Sequence, residues 1–296
     1  MALSRLVVGV DFSPSSEVAV ARAAEIAAHQ GAELVLVHAG TVVEPPEVPA
    51  SMQVARDAYL GVLRAQLATD RTRLAELRER LKAGGIEVSQ LVVDRFPDDA
   101  LVEAATELHA DLIVTGARPR GHAARWLLGG VAAKVVRAAA QSVLCARPGD
   151  PDRGFSRIVV GTDFSEGAHR ALARAIDVAE PGAHVAVVHA LELGWSFTAS
   201  PDELVAGDPA LRAELHADIA ARGEALIAPL RGGPVELSFT SADLRPRELL
   251  RSEAERRQAD LVVVGGFGHR GFRRWLLGSV AEDLVSDAPC SVLVAR

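Results

Sequence analysis

Gly265-Gly266-Phe267-Gly268-His269-Arg270-Gly271-Phe272-Arg273-Arg274-Trp275-Leu276-Leu277-Gly278-Ser279 follows the apolar run Asp260-Leu261-Val262-Val263-Val264 and precedes Val280-Ala281-Glu282-Asp283-Leu284-Val285. The apolar run is short and uninterrupted, which predicts a parallel strand buried on both faces. The segment after the loop reads as the first turns of a helix. Strand, glycine-rich loop and helix start together form a place for an anion. The first amides of a helix have no intrahelical acceptor, and the helix dipole favours negative charge there. Gly265, Gly268 and Gly278 let the main chain approach a phosphate closely, and Ser279 offers a hydroxyl. Taken singly, each glycine reads as a turn or close-packing residue and Ser279 as a helix cap. The joint spacing is what favours phosphate.

A second, altered copy of this loop lies earlier in the chain, from Gly116 to Gly130. An offset of 149 residues superposes Arg125-Trp126-Leu127-Leu128-Gly129 on Arg274-Trp275-Leu276-Leu277-Gly278. Val8-Gly9-Val10-Asp11-Phe12-Ser13 matches Val160-Gly161-Thr162-Asp163-Phe164-Ser165, and His38-Ala39 matches His189-Ala190. The landmarks keep their order, so the chain reads as a tandem duplication of one domain. The expected domains are 1–147 and 156–296, joined by a stretch containing Pro148, Gly149, Pro151 and Gly154.

Each half alternates strands with helices. The pattern predicts strands at 5–11, 33–39, 86–93, 111–116 and 142–146, with helices at 15–30, 54–82, 98–109 and 131–140. Half two repeats it with strands at 157–163, 184–190, 235–240, 260–265 and 291–295, and helices at 166–180, 209–228, 247–258 and 280–287. The fold class is therefore α/β: two tandem, doubly wound, parallel five-stranded sheets of Rossmann-like type. Ligands of such sheets bind outside the carboxyl ends of the strands. If the first and fourth strands are neighbours, Asp163 and the glycine loop face one crevice.

Composition narrows the function classes. A net charge of −7 argues against a broad nucleic-acid or anionic-membrane partner. No apolar run reaches the length of a membrane span, and Asp11 interrupts any leader-like core. Cys145 and Cys290 sit in apolar strands at non-equivalent positions, which suits buried thiols in a reducing cytoplasm. Lys82 and Lys134 are the only lysines, so the lysine of a P-loop is missing from half two. The nine histidines are scattered, without metal-site spacing.

These residues resemble the universal stress protein family in its tandem two-domain form. Gly265-x2-Gly268-x9-Gly278-Ser279 fits the G-x2-G-x9-G-[ST] pattern of the family's nucleotide-binding members. Asp163 and Asp11 match its acidic residue at the end of the first strand. The resemblance implies an adenine nucleotide (ATP, ADP or AMP) as ligand, with Mg2+ or Mn2+ carried on the phosphates. It implies phosphate contacts from Gly265, Gly268, Gly278, Ser279 and the Val280 amide. It places ribose or adenine near Thr162 and Asp163, with the main chain at Ala190–Leu191 lining the base pocket. The expected role is a nucleotide-responsive stress regulator acting through an unknown protein partner. Pairing of the two halves within the chain, and a homodimer of chains, are also expected.

Half one departs from the pattern. Pro119 replaces Gly268 and Gly130 replaces Ser279, removing an N–H and a hydroxyl. Gly116 and Gly129 survive, and Arg118 and Arg120 stand near the losses. A relict pocket is the favoured reading; a low-affinity site on Asp11, Gly116 and Gly129 is the alternative. Slow ATP hydrolysis or self-phosphorylation is a competing function that lacks an evident base or metal cage. A structural protein binding no nucleotide is another. A Ser165–Asp163–His189 hydrolase triad is rejected, because no nucleophile elbow is present and Ser165 falls where a helix cap is needed. Packing or a hydrogen bond to main chain is the default role for His38 and His189, with ligand contact the alternative. Trp195 and Phe197 are candidates to cover the base.

Overall fold

The structure is a computed structural model and describes residues 3–40, 49–117, 119–120, 125–126, 130–148, 154–191, 209–266 and 278–296. Half one comprises β1 (Arg5–Gly9), α1 (Pro14–Gln30), β2 (Glu33–Ala39), α2 (Gln53–Ala83), β3 (Val88–Val93), α3 (Pro97–Glu107) and β4 (Leu112–Gly116). A short antiparallel strand pair, β5 (Pro119–Arg120) and β6 (Arg125–Trp126), precedes α4 (Gly130–Ala138) and β7 (Ser142–Ala146). Half two comprises β8 (Phe155–Gly161), α5 (Glu166–Val178), β9 (Ala179–Ala190), α6 (Pro209–Ile227), β10 (Glu236–Ala242), α7 (Pro246–Arg257), β11 (Leu261–Gly265), α8 (Ser279–Asp287) and β12 (Ser291–Ala295).

Ten of these strands form one sheet in the order β10-β9-β8-β11-β12-β7-β4-β1-β2-β3. Within each half all neighbours are parallel, and strands so paired are joined by crossovers rather than tight turns. The halves meet where β12 runs antiparallel to β7, with Val292 opposite Cys145, Leu293 opposite Leu144 and Val294 opposite Val143. Each half therefore covers the other's apolar last strand, an edge that would otherwise invite foreign pairing. The chain thus pairs with itself through the two expected edge strands.

The central strands read as continuous apolar runs because helices cover both faces. Leu6, Val7 and Val8 are all 0% exposed, so neither side of β1 meets water. On one face the core takes side chains from α1, α2, α5 and α6, and on the other from α3, α4, α7 and α8. Both core layers cross from one half into the other. Cys145 and Cys290 are free and buried. Burial pushes their thiols up to about 11 and about 12, so both stay protonated.

Two local differences from the sequence reading have physical causes. The first helix of half two stops at Val178, two residues early, because Ala179 bridges to Phe155 and Pro181 cannot continue a helix. Pro119–Arg120 and Arg125–Trp126 of half one pair as short antiparallel strands, within a stretch whose sequence reads as an altered glycine loop.

Candidate functional site

In half two, β8 and β11 are neighbours, with Leu261 opposite Ile158 and Val263 opposite Val160. Their carboxyl ends therefore lie side by side. The loop after β8 is fixed by its own side chains. Phe164 N donates to Thr162 Oγ1 at 3.0 Å, and Ser165 N donates to Asp163 Oδ1 at 3.0 Å. These bonds hold Phe164 at φ 60°, in the left-handed region, where a bulky residue needs such support. Ser165 Oγ then accepts from Ala168 N at 3.2 Å and caps α5. Asp163 bonds a loop amide, and Ser165 is a cap rather than a nucleophile.

An aromatic and cationic stack backs this loop. The Phe164 ring lies 4.8 Å from that of His189 and 6.2 Å from that of Phe239. The Arg222 guanidinium sits over Phe164 at 4.4 Å, within cation–π range. His189 Nδ1 is 2.8 Å from Thr162 O; a carbonyl only accepts, so Nδ1 carries a proton. The histidine is thus a main-chain strut between the ends of β8 and β9. Leu191 N donates to Ala242 O at 2.9 Å, so that amide is committed and not available to a base.

At the end of β11, Gly265 passes so close to α5 that a Cβ would lie 2.9 Å from the carbonyl carbon of Gly167. Gly265 therefore has a packing reason of its own. Gly266 N donates to Ala295 O at 2.8 Å, and Gly278 N donates to Gly266 O at 3.0 Å. The second bond brings the far end of the glycine segment back to its beginning. Helix α8 starts there, and its N-cap is Gly278, which supplies no side-chain cap. Ser279 is the first helical residue instead of the cap. Its hydroxyl and the first-turn amides thus stand at the positive end of the helix, with no side-chain cap from Gly278 among the described residues. Gly268 and Trp275 lie outside the described residues, as do Trp195 and Phe197.

Half one repeats the frame. Phe12 has φ 58°, Ser13 N donates to Asp11 Oδ1 at 3.0 Å, and Ser13 Oγ accepts from Ser16 N at 3.3 Å. His38 Nδ1 is 2.8 Å from Val10 O, and the Arg73 guanidinium lies 4.1 Å from the Phe12 ring centre. Gly116 packs on α1, where a Cβ would lie 2.3 Å from Ser15 O. A cavity of about 170 Å³ opens here between Asp11, Ser13, Thr115 and Gly130. Gly129 and Arg118 lie outside the described residues.

The Phe–Arg stack is the part that sequence reading missed. Arg73 and Arg222 do share the 149-residue offset of the loops, but which ring each covers is set by tertiary packing. Among the described residues no group of three or more His, Cys, Asp or Glu side chains is placed to hold a metal. No helix among them is long and apolar enough to cross a membrane.

Comparison with known proteins places this architecture. A family model described as the universal stress protein family matches residues 3–147 and again residues 154–296. A universal stress protein of Mycobacterium tuberculosis is 30% identical over 300 residues, spanning 98% of this chain and 96% of its own. One from Thermus aquaticus is 35% identical over 147 residues, 48% of this chain but 99% of its own, so one copy of the repeat matches a whole relative. The crystal structure of a universal stress protein from Archaeoglobus fulgidus superposes with a TM-score of 0.67, covering 99% of this chain and 98% of that one. At 20% identity the likeness speaks for the fold.

Proposed function

Because the chain belongs to the universal stress protein family, we propose that it is an adenine-nucleotide-binding regulator whose working site lies in half two. One observation carries this reading: the first turn of α8 has a glycine cap with no side chain, beside the end of β8. Phosphate oxygens take the amides of Ser279 and Val280 and the Ser279 hydroxyl, and Gly265, Gly268 and Gly278 shape the turn. Thr162 and Asp163 face the ribose, and the chain at Ala190–Leu191 lines the base pocket through groups other than the committed Leu191 amide. ATP, ADP or AMP fits this scheme, with Mg2+ or Mn2+ bound to the phosphates. In half one, Pro119 and Gly130 remove a donor each, so the reading is asymmetric.

Isothermal titration of the intact chain with ATP, ADP and AMP tests this. The expected result is one nucleotide per chain. Ser279→Gly weakens it about tenfold, the value of one hydrogen bond to a charged group. Gly268→Pro abolishes it. Wild-type protein that takes up none of the three nucleotides ends the proposal. The regulatory role includes a protein partner and a homodimer of chains. Sedimentation with and without ATP reads the latter.

A further inference from the structure

At the seam between the halves, two arginines make the same pair of contacts in opposite directions. Arg147 follows β7 in half one; its N–H donates to Ser291 Oγ at 3.0 Å and its Nη2 to Val285 O at 2.7 Å. Arg296 follows β12 in half two; its N–H donates to Ser142 Oγ at 3.2 Å and its Nη2 to Val136 O at 2.5 Å. Every member of one set lies 149 residues from its counterpart. The contacts therefore form a crossed clasp about the pseudo-two-fold axis between β7 and β12.

The carbonyls being held are informative. Val285 lies in the last turn of α8 and Val136 in the last turn of α4, where carbonyls lack intrahelical donors. The preceding carbonyls are already taken: Leu284 O accepts from Ala288 N, and Val135 O accepts from Ala139 N. A cation at this end of a helix also complements its dipole. These are the two helices that leave the glycine loops. Each half thus grips the far end of the helix that begins at the other half's crevice.

Arg147 is a costly device for stability alone. It is 2% exposed, and its Nε and Nη1 have no hydrogen-bond partner among the described residues. The nearby acid, Asp287, is already engaged by Arg247 and Arg251 at 3.2 and 3.0 Å. A buried guanidinium so poorly matched is commonly replaced by an apolar side chain without loss of stability. Its place there asks for a reason beyond packing.

We infer that Arg147 is a positioning residue for the site of half two, and Arg296 for the crevice of half one. The inference rests on the reading of half two as the nucleotide site. Helix α8 is nine residues long, about 13 Å at the helical rise, so its two ends are joined by continuous helical hydrogen bonding. Holding Val285 from half one fixes where its first-turn amides stand relative to Asp163. Half one, despite its altered loop, then completes the site of half two.

The test uses full-length Arg147→Met and Arg296→Met, read by amide hydrogen exchange, ATP titration and thermal midpoint. Arg147→Met is expected to speed exchange at the end of α8 about tenfold, the factor carried by one charged hydrogen bond. It leaves α4 unchanged, weakens ATP several-fold and does not lower the midpoint. Arg296→Met loosens α4 and leaves α8 and ATP affinity as they are. Arg147→Lys, which keeps the charge and one donor, gives the same pattern with a smaller effect should the methionine variant not fold. Loosening of both helices by either variant, or of neither, overturns the inference. So does a crossed exchange pattern with ATP affinity intact in Arg147→Met. Failure of wild-type protein to bind ATP falls instead on the functional reading.

Discussion

Asp111 and Asp260 occupy equivalent places and do equivalent work, yet they titrate in opposite directions. Asp111 Oδ2 accepts from Ser4 N, Ser4 Oγ and Arg5 N; Asp260 Oδ2 accepts from Ser156 N, Ser156 Oγ and Arg157 N. Each ties the start of its half's fourth strand to the start of the first. Burial raises both carboxyls. At Asp111 the Ser4 and Arg5 donors outweigh it and hold the group below the usual range; at Asp260 burial prevails and the group lies above it. The ionised form of Asp111 therefore adds stability above its unfolded pKa of about 3.9, and this is lost as pH falls through the folded value. Asp260 adds stability below that pKa and loses it as pH rises through its raised folded value. Asparagine keeps the accepting oxygen in both places. At pH 7, Asp111→Asn is expected to lower the thermal midpoint more than Asp260→Asn, and the gap should narrow as pH falls through the folded value of Asp111. Equal midpoints at pH 7 would contradict the assignment.

At the scale of elements, the glycines that end β4 and β11 are set by helix contact. A Cβ on Gly116 would meet Ser15 O at 2.3 Å, and one on Gly265 would meet Gly167 C at 2.9 Å. Both obstacles are backbone, so the strand and helix must part. Gly116→Ala and Gly265→Ala are each expected to cost about 1–3 kcal/mol, the range for overpacking, with Gly116→Ala the larger. Urea denaturation measures this, and a neutral Gly116→Ala would refute the packing account. Strands and helices were legible because burial on both faces of a parallel sheet leaves unbroken apolar runs, and because the chain states the pattern twice. The α5–β9 boundary was not, since Glu180 looks helical until Pro181 and the pairing of Ala179 with Phe155 are considered. At the site, the capping by Ser13 and Ser165 was readable from their places before helices. That Gly278 rather than Ser279 caps α8 was not, because both residue types serve at that position. Nor was the placing of Arg222 over Phe164, which depends on how α6 lies against β10, a tertiary outcome with no local signature.

At the scale of the molecule, the seam is part of the core. Leu144 and Leu293 are opposite each other on β7 and β12 and are both 0% exposed. They share a core layer with Leu6 of half one and Ile158 of half two. Arg137 and Glu282 add an ion pair between α4 and α8, but both are half exposed and such pairs contribute little. The apolar seam therefore decides whether the halves unfold together. Leu144→Ala and Leu293→Ala should each cost about 2–5 kcal/mol, since a buried leucine loses both transfer energy and packing. Because each truncation leaves a void that the other also borders, the double variant should cost less than the sum, with a coupling of about 0.5–3 kcal/mol. Wild-type protein should lose its helical circular dichroism in a single urea transition. If Leu144 and Leu293 instead prove additive, or the wild-type transition already has two steps, each half carries its own stability and the seam only docks them. Coupling of the expected size would mean that a ligand held in half two stabilises half one as well, through the sheet they share.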